Sequence, residues 1–530
     1  MMKKKNYVFL FFVALVVFSV NFIFQQTPGF MDSEYYFMAG KYLSEGQLVA
    51  PVVWNYLDNP TALPHPLFTY WMPFPSFLSM LSMVFFKNDT FLFGRLIFWI
   101  IAAGIPPLTM CISYLIFKNK FSAWIAAFLS IFSGFYFKFY TIPETVTIYI
   151  LLGGLYFFLL FKLRNATSNK SALFISACLG VITGFLHLTR VDGIIFIGIT
   201  IILILTSKNL SKQWNTNKIP IRLIVFSVFI VFYLLISGWW YHRNLELFST
   251  LFSPASSKAL WIANYEDTFI YPASKLNFSY WVNNGLPQKG HQIWEALKSN
   301  LGNLIAVQSF IIGFPLVIIS MRKIWKTRLL FFPILYFMMI FILMTFLFSE
   351  AGGRGGYLHS IAAIQIFFWI LMGDGLDRFI QWGLQQRGWT LKRSQIMFGT
   401  ALIGFSILFT SFIYFRDVLG YSGTKIAWNS ESSEFIDLET QIELKSKNKQ
   451  EVIMINNPVG FHVATDRWSI VIPNSDWKEL ESVIQKFEVK YIVLDQNLPK
   501  GLSNLDTWIS VINLSEIYRL SSGKILYEIN

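Results

Sequence analysis

The sequence predicts an α-helical polytopic membrane protein of about eleven transmembrane helices, closed by a small C-terminal extracytoplasmic α/β domain. Three observations predict it. Hydrophobic residues make up 54% of the 530-residue chain and charged residues only 14%, more apolar surface than a soluble protein of this size carries. Apolar runs of roughly 20 residues, the length that crosses a hydrocarbon core, recur as far as Tyr414. From Asp417 onward charge returns and the apolar runs shorten to strand length.

The elements follow in order. Lys3-Lys4-Lys5 precedes an apolar run from Tyr7 to Phe24 with no small-residue cleavage site after it, so the run reads as an uncleaved first helix. Gln25 to Pro75 is polar, aromatic and proline-rich, and Ser76–Phe86 is apolar but short. Long runs then follow at Leu92–Phe117, Phe121–Phe137, Thr145–Phe161, Ala172–Leu188, Ile194–Leu205, Ile221–Ser237, Leu304–Ile319, Leu329–Phe348, Ile361–Met372 and Ile396–Tyr414. Basic residues gather at every second loop: Lys118/Lys120, Lys162/Arg164/Lys170, Lys208/Lys212/Lys218/Arg222, Arg322/Lys323/Lys326/Arg328 and Arg378/Arg387/Lys392/Arg393. The positive-inside rule puts these loops in the cytoplasm. Pro66–Phe86 then cannot cross, the N-terminus lies inside, and the C-terminal domain lies outside a plasma or inner membrane. The net charge of +13 is therefore an orientation signal and not a nucleic-acid one. Cys111 and Cys178 both fall inside apolar runs and read as packing residues.

The predicted organisation is a transmembrane domain over 1–416, with a first outer loop at 25–90 and a second at 239–302, and an α/β domain over 417–530. In the latter Val452–Ile455, Trp468–Ile472 and Lys490–Leu494 read as strands. Asp476–Lys486 reads as a helix with Asp476 as its N-cap, and Tyr518 to Ile529 as closing strands.

This topology puts the polar residues between helices on the outer side. In Gly29-Phe-Met-Asp-Ser-Glu-Tyr-Tyr36 two carboxylates follow the first helix. Read as an extended segment, it points Asp32 and Glu34 to opposite faces, one as general base and one as orienting or metal-holding group; the alternative is a solvated loop. Glu144, after Pro143, reads as an acid in the first turn of the next helix or as a second site carboxylate. Arg354 lies among four glycines in Gly352-Gly-Arg-Gly-Gly356; such a backbone can approach a ligand, and a guanidinium fork matches phosphate oxygens. Arg243-Asn244 is a second phosphate contact or part of an interfacial aromatic belt. The six histidines have no metal-ligand spacing. No phosphate-cradling glycine loop is present, so a nucleotide donor is not indicated.

These residues, in this order, resemble the GT-C superfamily of polyprenyl-phosphate-sugar glycosyltransferases, and most the protein mannosyltransferase and aminoarabinose transferase group. Asp32-Ser-Glu34-Tyr-Tyr, with the helix-like segment to Gly46, is similar to the family's first outer loop. Leu63-Pro-His-Pro-Leu-Phe-Thr-Tyr-Trp71 is similar to its Pro-Pro-Leu segment and Tyr140-Thr-Ile-Pro-Glu144 to its second acidic position. Gly184-Phe-Leu-His-Leu-Thr-Arg-Val-Asp-Gly193 resembles its Thr-Arg-Pro turn, with Val191 in place of proline. Trp240-Tyr-His-Arg-Asn244 resembles its Trp-x-x-Arg-Asn, and Arg354-Gly-Gly-Tyr-Leu-His-Ser360 an Arg-Gly segment of bacterial members. The resemblance implies an inverting transfer from a polyprenyl-phosphate-linked sugar to a protein, lipid or glycan. It implies Asp32, Glu34 and Glu144 as catalytic carboxylates, Arg354, Arg243 and His359 at the donor phosphate, and His65, Tyr35 and Arg190 at the substrate. No cofactor is required, since the donor carries one phosphate; a divalent cation is an option and no metal ligand is assigned. The rival reading is a polytopic transporter or lipid-linked sugar flippase, which calls for ionisable groups at the bilayer midplane.

Overall fold

The computed structural model describes residues 2–207, 221–324, 330–421, 425–495 and 513–530. Lys208, Lys212, Lys218, Lys326 and Arg328 of the predicted basic loops lie outside the described residues. Among the described residues seven helices are long and apolar enough to cross a membrane: Lys4–Phe24, Phe91–Phe117, Thr145–Arg164, Asn169–Thr189, Ile221–Phe248, Ser349–Arg387 and Leu391–Leu419. Phe74–Phe86, Lys120–Ile131, Val191–Thr206 and Phe331–Leu347 are apolar but shorter. This is an integral membrane protein of the helical type. Phe74–Phe86 has 13 residues, about 20 Å of helix against the roughly 30 Å of a hydrocarbon core.

The chain divides into two compact units. The first comprises Met1–Ile23, Leu96–Leu247 and Ile293–Val418; the second comprises Phe24–Arg95, Phe248–Gln292 and Leu419–Asn530.

The first unit is a bundle whose helices approach through small residues, as helices in lipid do. Gly153 in Thr145–Arg164 lies against the Ala363 backbone, where a Cβ would stand 2.3 Å from the Ala363 carbonyl oxygen. That contact seats the helix beside the short turn Ala362–Ile364 and so fixes where its N-terminal end meets Tyr357–Ile361. Pro106 and Pro107 occupy the first positions of Ile105–Phe117, where a missing N–H costs nothing.

The second unit is built on a six-stranded sheet in the order Val52–Val53, Ser469–Ile470, Val452–Met454, Val489–Leu494, Ile525–Ile529, Leu514–Arg519. The first four strands pair parallel and the last two antiparallel. The strand Val52–Val53 comes from far upstream. Ser469 and Val471 donate their N–H groups to the Pro51 and Val53 carbonyls at 3.1 and 2.8 Å, and the buried Tyr56 hydroxyl donates to the Val471 carbonyl at 2.6 Å. Phe435, Leu438, Ile453, Phe461, Val493 and Leu526 form the core beneath. Trp477–Phe487 is capped by Asp476, whose side chain accepts from the Lys478 and Glu479 N–H groups, as its sequence pattern predicts. Arg467, fully buried, grips Glu439 with two nitrogens at 2.8 and 2.9 Å.

Candidate active site

In the first unit the candidate side chains Glu144, Arg190 and His359 gather where three helix ends meet. Glu144 is the N-cap residue of Thr145–Arg164, in extended backbone, and its side chain makes no capping bond. The expectation of a first-turn acid is corrected accordingly: Glu144 stands one residue before the helix and its carboxyl meets only the helix's first residue, Thr145. It is wholly buried. Its Oε1 lies 3.0 Å from His359 Nδ1 and accepts from the Thr145 hydroxyl at 2.6 Å. Glu144 Oε2, equally buried, has no hydrogen-bond partner among the described residues.

One helical turn beyond Thr145, the Tyr149 hydroxyl donates to Asp192 Oδ1 at 3.1 Å. Arg190 holds the same oxygen through Nε at 3.0 Å and donates from Nη2 to Ser360 Oγ at 3.2 Å. His359 and Ser360 are neighbours on Tyr357–Ile361, so this short helix joins the Glu144 pair to the Arg190–Asp192 pair. Its backbone is pinned from both sides: the Tyr136 hydroxyl donates to the Leu358 carbonyl at 2.9 Å and the Tyr336 hydroxyl to the Ser360 carbonyl at 2.8 Å.

Arg354 is exposed in the π-helical turn Gly352–Gly356 just before that helix. Gly355 has φ of 123°, a conformation only glycine adopts freely, so part of the glycine pattern serves the turn itself. Arg243 is not in a loop. The helix predicted to end at Ser237 runs on to Phe248, and the Trp-x-x-Arg-Asn pattern is one turn of it. The Arg243 guanidinium lies 4.9 Å from the Trp240 ring centre and donates to Asn244 Oδ1 at 3.1 Å. The helix runs on because nothing between Ser237 and Phe248 breaks it; aromatic and charged residues end an apolar run without ending a helix.

In the second unit Asp32 and Glu34 lie in the first turn of the helix Met31–Ser44. The segment expected to be extended is helical, which corrects the strand-like reading. Residues two apart on a helix still do not face one another, so the two acids remain separated. Asp32 is half-buried, whereas Glu34 is 4% exposed and accepts from Asn457 Nδ2 at 3.0 Å. Tyr35 is buried; its hydroxyl accepts from the Phe68 N–H at 2.6 Å and its ring packs on Trp71 with centres 4.4 Å apart. His65 Nε2 lies 2.8 Å from Asp58 Oδ2. The sequence reading assigned no site role to Asp58, Ser360 or Asn457. Asn457-Pro458 is a helix-start signature, but its bond to a residue 423 positions earlier has no local signal.

Glu144 and Glu34 titrate oppositely. Burial pushes the Glu144 carboxyl up, but attraction to His359 and hydrogen bonds from His359 and Thr145 outweigh it and hold the group below the usual carboxyl range. Burial pushes Glu34 up to about 8, helped by Glu431 and by Asp32 and opposed only by the Asn457 hydrogen bond. A buried carboxyl stays ionised where opposite charge and hydrogen bonds outweigh burial; Glu144 has the His359 ring nitrogen and the Thr145 hydroxyl beside it, and Glu34 an amide.

No protein-family model matches the sequence, and no curated protein sequence does. Solved structures do match. Apo ArnT from Cupriavidus metallidurans superposes with a TM-score of 0.58 at 13% identity, covering 99% of this chain and 98% of that one. ArnT from the same organism bound to undecaprenyl phosphate gives 0.55 at 12% identity, over 99% and 98%. The archaeal oligosaccharyltransferase AglB from Archaeoglobus fulgidus, in complex with an inhibitory peptide and a dolichol-phosphate, gives 0.53 at 12% identity, over 93% of this chain and 69% of that one. The chain has the GT-C fold. The resemblance carried by the scattered motifs is thus matched over the whole chain by backbone similarity. Within this GT-C fold the structure brings Glu144, His359 and Arg190 together in one unit, and sets Asp32, Glu34, Tyr35 and His65 in the other.

Proposed function

We propose that this protein is an inverting glycosyltransferase that moves a sugar from a polyprenyl-phosphate donor to a protein, lipid or glycan acceptor on the outer face of the cell membrane. The observation that carries this reading is the GT-C fold shared end to end with a transferase crystallised with undecaprenyl phosphate. Asp32 takes the proton from the acceptor hydroxyl or amine as that atom attacks the anomeric carbon. The bond from that carbon to the phosphate oxygen breaks, and polyprenyl phosphate leaves with the electron pair. Arg354 meets the developing phosphate charge, with Arg243 as a second contact; charge-assisted bonds from a guanidinium fork to phosphate oxygens are among the strong ones.

Glu144 orients the sugar. Its buried Oε2, without a hydrogen-bond partner among the described residues, is a strong acceptor for a sugar hydroxyl, and His359 favours the ionised form. Arg190 keeps the turn that carries Ser360 in register. A divalent cation is compatible with an oxygen and a nitrogen donor so close together, but no step depends on one.

The test is release or transfer of labelled sugar from a panel of polyprenyl-phosphate sugars by the purified protein in detergent, with Asp32→Asn beside it. Turnover of one donor, lowered about 10²–10⁴-fold in the variant, is the expected result. Failure to bind any polyprenyl-phosphate sugar would sink the reading and favour a transporter.

A further inference from the structure

The lead-in to Asp32 and the helix that follows are held by the C-terminal α/β module at three successive points. Before the helix, Asn429 Oδ1 accepts from the Gln26 and Thr27 N–H groups at 3.0 and 3.2 Å, and Trp428 Nε1 donates to the Thr27 carbonyl at 2.9 Å. In its first turn, Glu34 Oε2 accepts from Asn457 Nδ2 at 3.0 Å. Two turns on, the Tyr42 hydroxyl lies 2.9 Å from His462 Nε2. His462 Nδ1 is 2.9 Å from the Arg467 carbonyl, which fixes that nitrogen as donor and leaves Nε2 to accept from Tyr42.

The middle point is built most closely. Asn457 caps the helix Pro458–Thr465, its Oδ1 accepting from the Gly460 N–H at 3.0 Å. Its amide nitrogen serves Glu34 and also Glu431 Oε2 at 3.2 Å. Gly460 has no side chain where one would obstruct: a Cβ there would stand 2.7 and 2.8 Å from the two Glu34 oxygens. The carboxyl therefore sits in a slot shaped for it, with an amide donor at one side and backbone at the other. A neutral carboxyl, one oxygen accepting from an amide, suits the slot; burial and the neighbouring Glu431 favour that neutral form.

We propose that Glu34 is a positioning residue and not a catalytic carboxylate: seated against Asn457 and Gly460, it locks the helix that carries Asp32 onto the C-terminal α/β module. The proposal rests on the reading of Asp32 as the general base. It gives that module a part in catalysis, as the seat that sets the direction of the base.

The experiment compares Glu34→Gln, Glu34→Ala, Asn457→Ala and the double alanine variant in the full-length protein in detergent. It uses steady-state transfer and hydrogen exchange over residues 31–44. Glutamine keeps a carbonyl oxygen for Asn457, so Glu34→Gln retains transfer and wild-type exchange. Each alanine variant lowers kcat about 10²-fold, the cost of a misplaced catalytic group, with little change in KM. Each also speeds exchange in 31–44, and the double variant is no worse than either single one, as for two halves of one contact. Glu34→Gln as inactive as Asp32→Asn would overturn the proposal and make Glu34 a catalytic carboxylate. Alanine variants with unchanged exchange in 31–44 would overturn it as well. An active Asp32→Asn would remove the base reading alone, since the exchange result still decides whether Glu34 anchors the helix.

Discussion

Glu144 and Glu34 are the same side chain, each almost completely buried, one in each compact unit. They differ in what was placed beside them. Glu144 has a histidine ring nitrogen at 3.0 Å and a hydroxyl at 2.6 Å, and one oxygen with no partner among the described residues. Glu34 has an asparagine amide that it shares with a second glutamate. The first surrounding keeps a charge available for a ligand; the second discourages the charge and uses the group as a fitting. Burial alone therefore does not set the charge of an acid; the groups placed beside it do. Glu439 gives the limiting case, with a fully buried guanidinium doubly bonded to it.

That limiting case supplies the largest effect. Arg467→Met leaves Glu439 buried and without its fork, while three loop carbonyls at Asn448, Ser446 and Glu451 lose their donor. Removing one partner of a buried pair costs up to about 3–5 kcal/mol, and here Lys449, 2.6 Å from Glu439 Oε1, stays as a second cation and lowers that cost. The variant should show a markedly lower melting temperature in detergent, and Arg467→Met with Glu439→Leu should recover part of it. An unchanged melting temperature would mean that Lys449 alone compensates Glu439 and that the ordering of the three carboxyls is wrong.

How much of this was legible depended on distance along the chain. The helical membrane class follows from apolar runs, and the C-terminal helix and strands from period and cap, because those signals lie within a dozen residues. Asp476 was readable as a cap for that reason. Val52–Val53 as an edge strand beside Ser469–Ile470 was not: two residues carry no periodicity, and the partner is some 400 positions away. The same holds for the site. Asp32, Glu144, Arg354 and His359 could be named from local pattern, but the two roles of buried glutamate could not. His359 and Asn457 reach their carboxyls only through the fold. The glycines around Arg354 carry a second meaning: a pattern read as open to a ligand also serves the backbone geometry of the turn at Gly355.

The next largest effect sets the two glutamates against one another directly. Glu144→Gln removes the charge but keeps the shape, and should lower kcat about 10²-fold or more, as loss of a preorganised polar contact to the reacting sugar does. The identical change at Glu34 should leave kcat nearly unaltered. Steady-state transfer by the two variants measures both. Equal losses would abolish the distinction between an acid kept charged and one kept neutral.

A smaller effect concerns pH. The groups facing Glu34 are Glu431, Asp32 and the Asn457 amide, with Lys524, Glu434 and Asp495 beyond Glu431. Its folded pKa is raised to about 8, whereas in the unfolded chain it titrates in the ordinary carboxyl range. Its contribution to stability is thus fully present below that range and is lost as pH rises through about 8, at a slope of at most about 1.4 kcal/mol per pH unit. Glu34→Gln removes the proton exchange. Melting temperatures of wild type and variant should therefore lie close together in acid and separate in favour of glutamine as pH rises to about 8. Parallel curves would mean that Glu34 is ionised in the fold.

The smallest effect comes from the far end of the same helix. Tyr42 meets His462 through one hydrogen bond and a stacked ring, with centres 5.9 Å apart. Tyr42→Phe keeps the ring and deletes the bond, leaving His462 Nε2 without its donor; burial already holds that imidazole below its usual range. The loss should be about 1 kcal/mol, seen as a small drop in melting temperature. Exchange should rise at the C-terminal end of Met31–Ser44 and stay unchanged near Asp32. Activity should then hold, because the anchor next to the base is the one at Glu34. If Tyr42→Phe instead cost as much transfer as Glu34→Ala, the helix would move as one rigid rod, and the seat at Asn457 would have no special share in aiming Asp32.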